Sequence, residues 1–224
     1  MNRCRESPPI EGGTGVPPEP GSGAAGHRPV AGVLLAAGVS VRMGSNKLLL
    51  PWEGTILLRH AATTALAAGL SPLVVVLGHE GARAEAALAG LPFVLARNAD
   101  FASGIGSSLR EGFRAVPDGC AGAVVLLADM PFVTARMVRA LAERFYGAAV
   151  PLVLSSYGDV HAPPTLYGRD LFPELRALGD GACSQGLMRR HRHESLTLGW
   201  PPSALIDLDE PGDLEAARGR AKRS

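Results

Sequence analysis

This chain contains few cysteines, carries almost no net charge and lacks long apolar runs. Each of these features argues against a class of protein. The three cysteines, Cys4, Cys120 and Cys183, lie far apart without a Cys-x-x-Cys pair, which argues against a disulfide framework or a structural zinc site. The formal net charge of +1 gives no reason to expect bulk nucleic-acid binding. No apolar run approaches the roughly 18 residues of a membrane-spanning helix. We therefore expect a cytoplasmic protein with neither a nucleic-acid nor a membrane partner.

Length and the composition of the first residues divide the chain into a tail and one domain. The 224 residues suffice for one folded unit with a substantial core. Residues 1–28 contain 11 glycines and prolines and almost no apolar periodicity, which predicts a disordered extension. We expect residues 29–220 to form the folded domain.

Apolar runs alternate with helical periodicity along this domain. Runs such as Val33–Ala37, Leu73–Leu77 and Ala123–Ala128 have the composition of buried parallel strands. Helices are predicted at 56–68, 80–89, 134–146, 171–178, 185–192 and 210–221, with one more running from the loop 98–108 to Val116. Further strands are predicted at 93–96, 150–155 and 204–209. This alternation favours a single α/β domain with a Rossmann-like, doubly wound, mostly parallel sheet.

The stretch from Val30 to Pro51 has the composition of a phosphate-binding loop. An apolar run ends at Gly38, and a turn of small and polar residues follows that contains Ser40, Arg42 and Lys47. Small side chains let backbone N–H groups approach a phosphate, and the two cations can neutralise it. The spacing is neither that of a GxGxxG motif nor that of a P-loop. The alternative is that Arg42 and Lys47 are solvated surface residues.

Acidic residues follow two of the predicted strands. Asp129 ends an almost wholly apolar run, where a carboxylate is costly without a cation, and Mg²⁺ is a natural partner because it combines protein carboxylates with substrate phosphates. Asp207 and Asp209 end the last predicted strand and could reach the same metal. Alternatively, Asp129 caps the following turn, and Asp209 caps the helix that starts near Pro211.

The loop 98–108 and the histidines are weaker candidates. Ligands of open parallel sheets bind outside the carboxyl ends of the strands, where Gly106 and Ser107 could contact a base or a ribose, or simply lead into a helix. His79 follows a strand and could touch substrate, although a loop histidine with an ordinary structural partner is the alternative. No Ser/His/Asp or Cys/His arrangement suggests a covalent nucleophile.

Together these segments resemble the MobA-like NTP-transferase family, the nucleotidyltransferases of molybdenum-cofactor biosynthesis. The family's opening motif, LAAG or LAGG followed by x-S-x-R-M-G and a lysine, is present at 35–44 with Lys47. Later matches follow in order as LLLPW at 48–52, VLGH at 76–79, Asn98 with GIGSSL at 104–109, LADMPF at 127–132 and DLDEPGD at 207–213. The resemblance covers residues 30–218.

The resemblance implies a fold of the nucleotide-diphospho-sugar transferase type and a defined reaction. The terminal phosphate of a molybdopterin-type acceptor attacks the α-phosphate of CTP, with Mg²⁺ bound and pyrophosphate released. LAAG with KLLLPW is similar to the cytidylyltransferase branch, whereas LAGG typifies the guanylyltransferases. Arg42, Lys47 and Asp129 are then catalytic, and Asp129 and Asp207 hold the metal. The resemblance also implies that the nucleotide is bound by Leu35, Ala36, Ala37, Gly38, Ser40, Gly78, Gly106 and Ser107.

The acceptor region departs from the family pattern. The cytidylyltransferases carry an Arg-Gly-His-Pro-like segment where this chain has HAPPTLY at 161–167, and the segment after 179–182 is also altered. We assign acceptor binding to His79, His161, Pro164 and Asp209, and expect a phosphorylated pterin-type acceptor with a molybdenum hydroxylase as delivery partner. The alternatives are a transferase that uses GTP or a sugar phosphate, and a non-catalytic accessory protein that delivers the cofactor.

Overall fold

A mixed, mostly parallel sheet of eight strands forms the centre of the computed structural model, which describes residues 27–38, 46–179 and 181–206 with Asp213, Glu215 and Ala217. In chain order the strands are β1 (Val30–Ala36), β2 (Pro51–Trp52), β3 (Thr55–Ile56), β4 (Leu73–Leu77), β5 (Val94–Arg97), β6 (Gly122–Leu127), β7 (Leu152–Tyr157), β8 (Val160–His161), β9 (Thr165–Gly168) and β10 (Ser195–Trp200). Strands β2 and β3 form a separate antiparallel pair.

The strand order divides the large sheet into two parts. It runs β5-β4-β1-β6-β9-β7-β10, with β8 beside β7. Neighbours from β5 to β6 are parallel, and so are β7 and β10. Strand β9 is antiparallel to both β6 and β7 and separates the two parallel parts. The predicted doubly wound, mostly parallel sheet is confirmed.

Helices cover both faces of this sheet. They are α1 (Leu57–Ala67), α2 (Gly81–Ala87), α3 (Ile105–Ala115), α4 (Ala135–Ala148), α5 (Phe172–Arg176) and α6 (Gln185–Arg190). Helices α1, α2 and α4 pack on one face and α3, α5 and α6 on the other. Residues of β1 alternate between the two cores, Leu34 entering one and Val33 the other, as successive side chains of a strand must. Burial on both faces explains why the strands read as continuous apolar runs.

Three expectations about element positions need correction. Helix α3 begins at Ile105, not after residue 108, because Gly104 adopts a positive φ of 103° and lets the chain enter the helix early. The late strand is β10, and the described part of the range predicted as that strand, 204–206, is not a strand. No strand is predicted at 165–168, where β9 lies within the large sheet.

Several sequence-based predictions lie outside the described residues. These are most of the predicted extension 1–28, the loop residues Ser40 and Arg42, and the late acidic residues Asp207 and Asp209. The predicted domain limits, 29–220, stay a prediction. Within the described ranges, no helix is long and apolar enough to cross a membrane.

The Thr134 cap of α4 gives a test of local stability. The Thr134 hydroxyl accepts a hydrogen bond from the N–H of Met137 at 3.3 Å. Because Thr134→Ala leaves this N–H without its partner, we expect the free energy of unfolding in urea to fall by about 1 kcal/mol. Thr134→Ser keeps the hydroxyl and should stay within about 0.5 kcal/mol of the wild type. Equal stability of the Ala and Ser variants would contradict the cap.

Candidate active site

A cavity of about 330 Å³ lies at the carboxyl ends of β1 and β6. Parallel strands of open sheets bind ligands at this edge. We call it the donor cavity, and its lining is Leu35, Ala36, Ala37, Gly38, Lys47, Leu48, Phe101, Gly104, Ile105, Ser108, Leu127 and Asp129. Small and apolar side chains therefore surround one cation and one carboxylate.

The charged centre of the donor cavity is an ion pair. Lys47 Nζ lies 2.6 Å from Asp129 Oδ2, and the two side chains are 15% and 21% exposed. The pair joins the residues that follow β1 to the end of β6. Such a short contact away from bulk water holds both charges in the cavity wall, where a cation can meet a phosphate and a carboxylate can meet a metal ion.

A capped turn fixes the start of the Lys47 segment. The buried Asn46 accepts a hydrogen bond from the N–H of Leu48 at 3.1 Å and so caps the 3₁₀ turn Lys47–Leu49. Glu80 lies beside Asn46, and the hydrogen bond from Arg83 holds the pKa of the Glu80 carboxyl below its ordinary value. The cap places Lys47 at the first position of the turn, facing Asp129.

The loop that carries Asp129 is tied to both neighbouring elements. The N–H of Ala128 donates to the carbonyl of Leu35 at 3.2 Å, which extends the ladder between β6 and β1 by one step. On the other side, His60 Nε2 of α1 lies 3.1 Å from the carbonyl oxygen of Pro131. These contacts restrict the position of the Asp129 carboxylate from two directions.

The opposite wall is organised by Asn98, which is 3% exposed. Its Nδ2 donates to Ser107 Oγ and Ser108 Oγ at 2.8 and 2.9 Å, and its Oδ1 accepts from the N–H of Asp100. This network presents the start of α3 to the donor cavity, and the described residues provide no side-chain cap there. Free N–H groups at a helix start favour an anion such as phosphate.

Two glycines allow close backbone contacts around the donor cavity. A methyl group on Gly78 would lie 2.8 Å from both the Ala37 carbonyl oxygen and Phe101 Cβ, and one on Gly106 would overlap the carbonyl oxygen of Ala182. Only glycine therefore lets β4 approach β1 here, or lets the segment around Ala182 lie against α3.

The structure brings together some of the predicted site residues and separates others. Leu35, Ala36, Ala37, Gly38, Lys47 and Asp129 share the donor cavity. Gly78, Gly106 and Ser107 support its walls without lining it, and their contact with nucleotide stays a prediction. Ser40, Arg42, Asp207 and Asp209 are outside the described residues.

The residues predicted to bind the acceptor are dispersed. The ring of His79 lies 6.0 Å from that of Phe101, at the border of the donor cavity. Pro164 is buried, and its carbonyl accepts a hydrogen bond from Ser155 at 2.6 Å. His161 is exposed in a second groove, near α6. Their acceptor role stays a prediction.

Sequence reasoning missed several residues of this site, among them two polar side chains and two apolar ones. Asn46 and His60 act through hydrogen bonds to backbone, and Phe101 and Ile105 line the donor cavity. Asn46 stands one residue before Lys47, so the rule that Asn caps helical turns could have identified it. For His60, whose partner is 71 residues away in the chain, no local pattern indicates the contact.

The donor cavity fits a divalent metal that is completed by substrate. Within the described residues, no group of three or more His, Cys, Asp or Glu side chains could hold a metal ion, so a metal cage built from these residues alone is excluded. Mg²⁺ is commonly bound by one or two carboxylates together with substrate phosphates and water. Asp129, beside a cavity that exposes a lysine, matches that pattern.

A larger cavity, of about 630 Å³, lies at the opposite edge of the sheet, near Arg28, Ala121 and Pro151. These residues precede β1, β6 and β7. Because ligands of open sheets bind at the carboxyl ends of strands, we place the active site in the smaller donor cavity.

Comparisons with known proteins show the family of this chain. A family model described as the MobA-like NTP transferase domain matches residues 32–195. The purine catabolism protein PucB of Bacillus subtilis is 32% identical over 193 residues, which cover 82% of this chain and 89% of PucB. The nicotine blue oxidoreductase of Paenarthrobacter nicotinovorans is 46% identical over 85 residues, 37% of this chain and 41% of that protein.

Solved structures repeat the same fold. Rv0371c of Mycobacterium tuberculosis superposes with a TM-score of 0.77 at 27% identity, covering 87% of this chain and all of that one. A second structure of Rv0371c, in complex with manganese, gives a TM-score of 0.69 and covers 85% of this chain and 98% of that one.

The contact at Gly106 can be tested with a pair of glycine variants. Ala normally stabilises a helix by about 0.5–1 kcal/mol relative to Gly. Gly106→Ala should instead lower the free energy of unfolding, because the new methyl group meets backbone that cannot rotate away. The matched variant Gly186→Ala of α6, whose nearest contact would be a side-chain atom 3.8 Å away, should be neutral or stabilising. Urea unfolding measures both, and a stabilising Gly106→Ala would contradict the packing.

Proposed function

Because the chain belongs to the MobA-like NTP transferase family, we propose that it is a magnesium-dependent cytidylyltransferase that moves a CMP group from CTP to a phosphorylated, pterin-type acceptor. Family and fold together make it a nucleotidyltransferase of the MobA-like fold. The observation that carries the proposal is the Lys47–Asp129 pair in the donor cavity. This pair supplies both charges that such a transfer requires.

The donor residues are assigned by their place in the cavity. The LAAG segment at 35–38 provides backbone and small side chains against which a nucleotide can lie closely. Lys47 carries a mobile positive charge for the phosphates, and the start of α3 adds backbone N–H groups. We propose that Arg42 and Ser40 also bind the nucleotide phosphates.

Asp129, with Asp207, is proposed to hold Mg²⁺. When bound, the ion neutralises phosphate charge and orients the triphosphate. The related Rv0371c in complex with manganese supports a divalent ion at this fold. Asp129 is the part of the proposed metal site that lies within the described residues.

The proposed transfer needs positioning and not a protein nucleophile. An oxygen of the acceptor phosphate forms a bond to the α-phosphorus of CTP, and the bond from that phosphorus to the α,β-bridging oxygen breaks. Pyrophosphate leaves with the electron pair. Lys47 stabilises the negative charge that increases around the α-phosphorus, and the walls of the donor cavity hold the reacting groups in line.

A non-catalytic protein that delivers the cofactor would explain the residues of the donor cavity less well than a transferase. A protein that only delivers a finished cofactor to a molybdenum hydroxylase has no need of a metal carboxylate beside a phosphate-binding lysine. Delivery after synthesis is compatible with the proposal, and we propose a molybdenum hydroxylase as the recipient. The nicotine blue oxidoreductase matches over less than half of its length, so the redox activity in its name is not carried over.

Lys47 provides the mechanistic test. Lys47→Ala should lower kcat by about a hundredfold or more, because one group that stabilises the transition-state charge is lost. The chain contains only one other lysine, Lys222, and Lys222→Ala provides the matched control with the same change in charge. The measurement is pyrophosphate release with saturating CTP, Mg²⁺ and acceptor. Unchanged turnover in Lys47→Ala would remove this residue from the mechanism.

The preference between CTP and GTP tests the assignment of this chain as a cytidylyltransferase. With molybdenum-loaded molybdopterin as acceptor, CTP should release pyrophosphate at least tenfold faster than GTP, about 1.4 kcal/mol of discrimination. Equal rates would contradict the cytidylyltransferase assignment. Release with a sugar phosphate but not with molybdopterin would favour the sugar-phosphate alternative, and no release with any acceptor would favour the carrier.

A further inference from the structure

A second groove, of about 450 Å³, opens between the β7–β8 turn and α6. We call it the arginine groove, because Arg189 and Arg192 line it together with Gln185 and Met188 on one side. Asp159 and His161 form its other side. Met188 packs against the core beneath α3, and α3 also contributes Ile105 and Ser108 to the donor cavity.

The cations around α6 divide into two sets. Arg190 and His191 both contact Glu174 on α5, and these hydrogen bonds hold the pKa of the Glu174 carboxyl below its ordinary value. Arg189 and Arg192 are exposed in the groove, and the described residues offer neither of them a carboxylate partner. Two guanidinium groups against the single carboxylate of Asp159 leave the groove with an excess of positive charge.

One segment, 181–185, connects this groove to the donor cavity. The N–H of Gly181 donates to the carbonyl of Ser103 at 2.8 Å, and the backbone of Ala182 lies directly against Gly106. Ser184 hydrogen-bonds Tyr167, whose pKa burial raises to about 12. At its end, Gln185 lines the arginine groove. The segment therefore runs from the start of α3, beside the donor cavity, to the edge of the arginine groove.

Apolar surface is exposed at both sites. The large hydrophobic side chains found exposed among the described residues are Ile105, at 44%, and Val160, at 51%. Ile105 lines the donor cavity and Val160 lines the arginine groove. Exposed apolar surface beside polar groups is typical of ligand sites.

The sheet sets the separation between the two sites. Asp129 follows β6, and the β7–β8 turn follows β7, with β9 between them. Two interstrand spacings amount to about 10 Å. A ligand that places a phosphate at Asp129 and still reaches the β7–β8 turn must span about this distance, so it must be longer than a phosphate on a single sugar ring.

We propose that the arginine groove binds the body of the acceptor and holds, through Arg189 and Arg192, a second anionic group distinct from the phosphate that receives CMP. This inference rests on the proposed function and narrows its acceptor to an extended phosphate ester that carries a second negative charge far from its phosphate. Met188 and Val160 provide apolar contact for the ring system, and Gln185 and His161 provide hydrogen bonds at its edge.

Anion binding by the groove can be measured without turnover. The probe is inorganic phosphate, titrated into the full chain at constant ionic strength, while the Nε–H signals of the arginine side chains are followed by NMR. The signals of Arg189 and Arg192 should shift saturably, and that of Arg190, which is held by Glu174, should not. If the signals of Arg189 and Arg192 shift no more than that of Arg190, the groove does not bind an anion through these residues and the proposal is wrong.

Transfer kinetics test whether the anion belongs to the acceptor. Replacing both Arg189 and Arg192 by Ala should raise KM for molybdopterin about tenfold or more, since even one charge-assisted hydrogen bond contributes about 1.5 kcal/mol. KM for CTP should stay within about twofold. Arg190→Ala removes a cation from the same helix and should leave both constants unchanged.

Acceptor binding by this groove would be contradicted if the double Ala variant raised KM for CTP as much as KM for molybdopterin. It would also be contradicted if Arg190→Ala raised KM for molybdopterin by the same factor. The double replacement by Lys keeps the charge and should recover part of the affinity, which a variant that merely unfolds would not. If the wild type transfers no CMP to molybdopterin, the proposed function fails, while the phosphate titration still decides whether the groove binds anions.

Discussion

The ion pair between Lys47 and Asp129 is the interaction on which the rest of the site depends. A carboxylate at the end of an apolar strand needs a counter-charge, and Lys47 provides it at 2.6 Å. The same proximity means that a metal ion alone must displace a lysine, and a triphosphate alone must compete with a carboxylate. A nucleotide that arrives with its metal gives each partner a new counter-charge at once. Under the proposed function, the ion pair therefore favours binding of the nucleotide and its metal ion as one unit.

Side-chain hydrogen bonds to backbone and close glycine contacts hold that pair in place. Asn46 caps the turn that carries Lys47, and His60 holds the loop beyond Asp129 through the carbonyl of Pro131. Gly78 and Gly106 let neighbouring backbone approach closely on the other side. Misplacement by about 1 Å can cost on the order of a hundredfold in rate. The glycines of the family motifs are thus as necessary for the geometry as the charged residues.

Sequence patterns predicted the parts of the structure that local rules control. The apolar run 73–77 is read directly from strand composition, and strand β4 occupies it as predicted. Strand β10 was missed because its leucines alternate with Ser, Thr and Gly, a pattern weaker than that of the buried strands. The partners of Asn98 and His60 depend on which helix lies beside which loop. Tertiary packing decides that, and no short window of sequence contains it.

The antiparallel strand β9 gives the sheet a functional spacing. Without it, β7 would pair directly with β6, and the β7–β8 turn would lie about 5 Å from the end of β6 instead of about 10 Å. The strands that line the donor cavity are β1 and β6, and they pair directly within a parallel unit that also contains β4. Inserting β9 leaves that unit intact and moves the arginine groove outward by one strand. Under the proposed acceptor binding, the length of the acceptor can therefore change by remodelling the β7–β8 turn and α6, while Lys47 and Asp129 keep their positions.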